Sequence, residues 1–245
     1  MTCPVPIALA TALLASGLIS ASQAEEGKNK SSASKASPAK TDDSPAKLGI
    51  ADDGKTGRLP SLTSGLSDLA AQAFARKDWE KARGFYLEML KAEPDNPLTL
   101  ANIGAVEQQA GRMKEAKNYL LRAVKINPAL QQTWLALGLV CHEMGDSYLA
   151  VSALTRAAYE DPLDPKAHNY LAVVARNLGW LDAAEAELQR AIELKPDYAN
   201  AHFNLALMYL DRKPPSVELA KRHYAKAVAL GAEKDEVVEE KLKGK

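Results

Sequence analysis

From Thr63 onward the chain repeats itself every 34 residues, and a period of that length restricts it to stacked helix-turn-helix units. Set in rows that begin at Thr63, Pro97, Gln131, Pro165 and Ala199, four columns keep their residue type in phase. Column 20 holds Ala82, Ala116, Ala150 and Ala184, and column 32 holds Pro94, Pro128, Pro162 and Pro196. Column 15 holds Gly111, Gly145 and Gly179 in the middle rows, and column 27 holds Ala123, Ala157 and Ala191.

Each column has a physical reason. Columns 4, 7, 8 and 11 form an apolar stripe at helical spacing, as in Trp134, Leu137, Gly138 and Cys141, so each row opens with an amphipathic helix. The column 15 glycine stops that helix, because a left-handed cap carries no steric penalty for glycine. Asp146 and Asp182 follow closely and suit the start of a second helix. That helix packs through columns 20, 24 and 27, as in Ala116, Leu120 and Ala123, where small alanines let antiparallel helices approach. The column 32 proline marks the exit. One such pair cannot cover its own apolar stripe, so the rows must stack.

These residues resemble the tetratricopeptide repeat family, with an aromatic at column 4, Leu-Gly at columns 7 and 8, Ala at 20 and 27, and Pro at 32. Row three matches most fully, through Trp134, Leu137, Gly138, Ala150, Ala157 and Pro162. The resemblance implies an all-α fold: a right-handed α-solenoid of about five tetratricopeptide helix-turn-helix repeats over 63–96, 97–130, 131–164, 165–198 and 199–232. A short C-terminal capping helix and tail is expected over 233–245, packing Val237, Val238 and Leu242. Row one departs from the pattern with Ala70, Ala73 and Met89, as suits a terminal repeat. In row five the second-helix alanines, Ala220 and Ala227, come two residues late, which assigns the extra residues to the loop Asp211 to Ser216, with Ser216 as the cap of the helix that Gly231 ends.

The resemblance also implies where a ligand would lie. In the family the first helices line the concave surface, with columns 2, 5, 9 and 12 facing the groove. Carried over, these are Leu98, Ala101, Ala105 and Gln108; Gln132, Leu135, Leu139 and His142; Lys166, Asn169, Val173 and Arg176; and Asn200, Phe203, Leu207 and Leu210. The groove is therefore expected to be largely apolar with a small basic centre, suited to a peptide or amphipathic helix with hydrophobic anchors and an acidic residue for Lys166 and Arg176. The paired Lys and Asn residues with which chaperone-binding members clamp a C-terminal carboxylate do not recur on successive rows. The implied role is a non-enzymatic adaptor or scaffold; the alternative is an envelope assembly component acting through self-association or its convex face.

Chemistry of other kinds finds little support. Lys+Arg and Asp+Glu both number 31, so no basic excess exists to neutralise nucleic acid or an anionic membrane. No nucleophile with a base, catalytic carboxylate pair or metal-ligand cluster can be assembled from the columns, so neither enzymatic activity nor a cofactor or metal is expected. His168 and His202 share column 4 with Trp134 and read as packing residues, while the adjacent Cys141 and His142 diverge by about 100° on a helix and cannot face one site. Gly49 to Thr56 matches a phosphate-binding loop pattern, but Asp42, Asp43, Ser44 and Pro45 precede it where a buried strand is needed, and Gly57 and Pro60 follow it where a helix is needed.

The start of the sequence has its own character. Val5 to Ser20 is apolar and too short for a comfortable membrane span, and it leads to Ala21-Ser22-Gln23-Ala24, with small residues where a signal peptidase reads. Residues 1–24 are therefore expected to be a secretory signal cleaved after Ala24, giving a periplasmic or secreted product, with an uncleaved membrane anchor as the alternative. Residues 25–60, rich in Lys, Ser, Ala, Pro and Asp, are expected to be a disordered linker. Asn29-Lys30-Ser31 is a glycosylation sequon with meaning only in a eukaryotic secretory host.

Overall fold

The computed structural model describes residues 64–243, which form eleven helices and no strand among the described residues. The expected signal segment, the linker and the Gly49 to Thr56 match lie outside these residues. The helices run as five antiparallel pairs and a cap. The pairs are α1 (Ser64–Ala75) with α2 (Trp79–Ala92), α3 (Pro97–Gln109) with α4 (Met113–Ile126), α5 (Gln131–Glu143) with α6 (Ser147–Glu160), α7 (Pro165–Asn177) with α8 (Leu181–Leu194), and α9 (Ala199–Asp211) with α10 (Val217–Ala229). The cap is α11 (Glu236–Leu242).

The turn within each pair follows from one backbone conformation. Gly111, Gly145 and Gly179 have φ of +77°, +80° and +79°. Each closes its helix in the same way: the N–H after the glycine bonds a carbonyl five residues back, Arg112 to Glu107 at 2.8 Å, Asp146 to Cys141 at 2.8 Å and Trp180 to Ala175 at 2.9 Å. In row one the same column is occupied by Lys77, which takes φ 60° and the same closure, Asp78 to Ala73 at 2.9 Å. Asp78 and Asp146 then cap the second helices through Lys81 and Leu149. Pro97 and Pro165 open first helices behind the caps Asn96 and Asp164. Asp182 stands in the first turn of α8, behind Trp180 at the cap position, and Ser216 holds the cap position of α10, without a side-chain bond.

Small residues set the helix spacing. A Cβ added at Gly104 would lie 2.6 Å from Leu120 Cγ, and one at Gly138 would lie 2.5 Å from Leu154 Cγ, so column 8 admits the column 24 leucine of its partner helix. Ala82, Ala116, Ala150, Ala184 and Ala220 are wholly buried on the other side of the contact. Column 4 adds a bond that joins one pair to the next. Trp134 Nε1 donates to the Pro128 carbonyl at 2.8 Å, and His168 Nε2 and His202 Nε2 each lie 3.2 Å from the carbonyls of Pro162 and Pro196. A carbonyl only accepts, so both histidines carry a proton on Nε2.

Successive first helices touch each other directly, α3 with α5, α5 with α7 and α7 with α9, whereas second helices reach chiefly the first helices on either side. The first helices therefore make the inner wall of the stack. At the C-terminal end Val238 and Leu242 of α11 are buried against the last pair, while Val237, expected to pack with them, is 63% exposed. No described helix is long and apolar enough to cross a membrane.

Candidate functional site

The inner wall divides by exposure. Over rows two and three it is closed: Leu98, Ala101, Ala105, Gln108, Leu135 and Leu139 are all buried, and only Gln132 stands exposed. Over rows four and five it opens, with Asn169 still buried but Lys166 exposed and Val173, Arg176, Asn200, Phe203, Leu207 and Leu210 half-buried. His142, at the row three end of column 12, is half-buried. The accessible apolar part of the wall is thus Val173, Phe203, Leu207 and Leu210.

The polar residues of column 12 are engaged with one another's rows. Gln108 Nε2 donates to Glu143 at 3.2 Å, Asn177 Nδ2 lies 3.4 Å from His142 Nε2, and Arg176 Nε bonds Asp211 at 2.6 Å. Each bond runs from column 12 of one row to column 13 of the next, so the rungs stitch the inner wall together. The basic charge expected to greet an acidic ligand at Arg176 is already matched by Asp211, leaving Lys166 as the exposed cation among that row's inner-wall residues. A fourth rung joins Asn204 Nδ2 to Asn169 Oδ1 at 2.9 Å, both residues buried.

Three of these residues keep a buried polar atom with no hydrogen-bond partner: Gln108 Oε1, His142 Nδ1 and Asn169 Nδ2. With Asn177 donating to its Nε2, His142 is the neutral tautomer protonated at Nδ1, and burial pushes its pKa down. The three are one acceptor and two donors covered within the wall rather than presented on its surface.

The row periodicity exposes the column 12 residues but not their partners, because those partners lie one residue beyond a whole repeat. His223 also escapes the column reading: the insertion before α10 shifts it into the place that Glu187 holds in row four. Cys141 is buried on the packed face, with its thiol pKa raised by burial, and points away from His142 as the helical spacing requires.

The fold and wall define a class: an all-α repeat solenoid whose first helices line one continuous face. Residues 99–130 match the family model described as tetratricopeptide repeat, and residues 174–211 match one described as TPR repeat. Among solved structures, MamA from Desulfovibrio magneticus is 20% identical, with a TM-score of 0.63, over 70% of this chain and 96% of its own. YrrB, described as a TPR protein with an unusual peptide-binding site, is 22% identical with a TM-score of 0.62, over 75% of this chain and 92% of its own. PilF of Pseudomonas aeruginosa is 16% identical with a TM-score of 0.63, over 70% of this chain and 78% of its own. No curated protein matches the sequence. The repeat period, the two model matches and the helix pairs agree that the chain carries tetratricopeptide repeats, a fold that generally serves protein-protein interaction.

Proposed function

We propose that this chain is an exported, non-enzymatic adaptor or scaffold that holds a peptide or helix along the inner wall of its solenoid. The observation that carries the reading is the accessible apolar stretch Val173, Phe203, Leu207 and Leu210 on the inner wall, with the exposed Lys166 at its edge. Apolar side chains of a ligand anchor at the open end of the wall, and an acidic residue of the ligand meets Lys166. The likeness to YrrB supports a peptide ligand in a solenoid of this kind. Export rests on the apolar run Val5 to Ser20 and the small residues before Glu25; N-terminal sequencing of the mature protein is expected to begin at Glu25.

The test is selection of binders from a randomised peptide display library on the full chain, followed by affinity measurement with Val173→Asp/Leu207→Asp. These positions are half-buried on the wall, so the variant keeps its helical circular dichroism while affinity falls at least tenfold. Unchanged affinity in a folded variant would overturn the reading.

A second reading, assembly through the outer surfaces, is favoured by one feature. Tyr148 and Trp180, 72% and 45% exposed, stand together with ring centroids 6.3 Å apart at the edge where first helices turn into second ones. Exposed neighbouring aromatics are typical of contact surfaces. Concentration-dependent oligomers in light scattering that are lost in Tyr148→Ser/Trp180→Ser select this reading; a concentration-independent monomer removes it.

A further inference from the structure

The outer wall of the stack, made by the second helices, carries a pattern that their packing does not require. Columns 18, 22, 25 and 29 fall on one side of each second helix, because steps of four, three and four residues return an α-helix to the same face. On α4 they hold Lys114, Asn118, Leu121 and Lys125; on α6, Tyr148, Ser152, Thr155 and Tyr159; on α8, Asp182, Ala186, Gln189 and Glu193. Every one of these side chains is exposed. The ends of the stripe thus change from lysine to tyrosine to carboxylate from one helix to the next, and the middle stripe carries no charge. Tyr159 stands as far out as Tyr148, each 72% exposed. An uncharged strip with an exposed tyrosine at either end has the composition of the centre of a contact surface.

Resting on the reading of the outer surface as an assembly face, we propose that a second copy of this chain docks on this wall about a two-fold axis parallel to α6. Such an axis lays α6 along α6 of the second copy in the same direction, and α4 of each copy over α8 of the other. Every column keeps its height along the helix, so Lys114 meets Asp182 and Lys125 meets Glu193 of the second copy, and the symmetry makes each contact twice. Charge complementarity selects this axis. A two-fold axis running across the helices sets α4 on α4 and α8 on α8, lysine against lysine and carboxylate against carboxylate.

The neighbouring charges are compatible with this contact. Asp182 bonds Arg212 and Glu193 bonds Arg190, yet 92% and 65% of their side chains stay in water, so each can accept a second cation. Arg122, Arg156 and Arg190 of column 26 turn to the flank, about 100° round the helix from the column before them, and each is paired within its own chain, to Asp95, Glu160 and Glu193. Rows one and five bring Glu80 opposite Glu218, which confines the contact to the three middle helices. That patch measures roughly 30 by 20 Å, below the area of about 800 Å² per partner that a stable pair buries. The dimer is therefore weak and dependent on concentration.

The experiment is sedimentation velocity of the full chain over a range of concentrations, with Lys114→Glu/Lys125→Glu and Asp182→Lys/Glu193→Lys beside the wild type. All four positions are exposed, so both variants keep the helical circular dichroism. The wild type is expected to dimerise, and more weakly in high salt. Each variant alone associates at least tenfold more weakly, because its opposed pairs then carry like charges. Mixed in equal amounts, the two variants recover the dimer, since every opposed pair again has opposite signs; an effect of net charge alone gives no recovery against the wild type's affinity. A wild type that stays monomeric overturns the proposal and the assembly reading together. Oligomers that persist in both variants, or a mixture that stays monomeric where the wild type dimerises, overturn the proposal alone and leave assembly to another geometry.

Discussion

Lys77 adopts the left-handed backbone that glycine supplies at the same column in the next three rows, with φ 60° against +77°, +80° and +79°. A side chain in that region costs about 1–2 kcal/mol, part of which glycine returns through its looser unfolded state. Lys77→Gly is therefore expected to raise stability by about 0.5–1 kcal/mol, read as a higher urea midpoint with an unchanged slope. His168 supports a second residue-level expectation. It donates from Nε2 to Pro162 and from Nδ1 to Glu187, an arrangement that requires the doubly protonated ring, and the Glu187 bond raises its pKa. A raised histidine pKa gives stability that is complete below the unfolded value of about 6.5 and is lost as pH rises through the folded value. The gap in urea midpoint between the wild type and His168→Gln should be widest near pH 5.5 and shrink by about pH 9; a gap independent of pH would leave only a packing role.

At the scale of elements, one carboxylate ties the first two rows together. Glu107 on α3 has no exposed surface, accepts from Arg83 of α2 at 2.6 Å and from Arg112 at the start of α4, and Arg112 reaches on to Glu80 of α2. Removing one partner of a buried pair costs about 3–5 kcal/mol, reduced here to about 2–3 kcal/mol because Arg83 and Arg112 keep roughly a third of their surface in water. Glu107→Gln should lose that amount in chemical denaturation, and a loss below about 0.5 kcal/mol would mean that the network behaves as a surface pair. The sequence makes the anomaly visible but not its resolution. Column 11 is apolar elsewhere, with Cys141, Ala175 and Tyr209, so Glu107 is out of pattern. Its partners lie on helices of two rows, and nothing in the spacing names them. The same limit applies to the inner wall. Periodicity places Gln108, His142 and Arg176 on one line, since a helix repeats its face every few residues. Their partners Glu143, Asn177 and Asp211 depend on how one pair leans on the next, which the hydrophobic pattern does not encode. Helix ends marked by Gly and Pro were legible for the opposite reason: their cause is local.

Across the whole molecule, each helix pair packs mainly on its neighbours, so damage at one end stays near that end unless the coupling between pairs is strong. The C-terminal end tests this. Val238 and Leu242 of α11 are buried in the cluster that holds Leu205, Met208 and Tyr224, and Tyr224 Oη accepts from the Asp235 N–H at 2.8 Å, fixing the cap to α10. Truncating both apolar side chains removes about 3–5 kcal/mol of local packing, less what relaxation of a seven-residue helix at the end of the chain recovers. In Val238→Ala/Leu242→Ala, amide exchange should speed up across α9 and α10, while protection in α3 to α6 stays at the wild-type level. The rungs Arg176–Asp211 and Asn169–Asn204 join row five to row four, so the acceleration should fade across α7 and α8 rather than stop at a boundary. Uniform loss of protection over all five pairs would instead make the solenoid a single cooperative unit, and the open end of the inner wall, in its last rows, would then report on the whole stack rather than on row five.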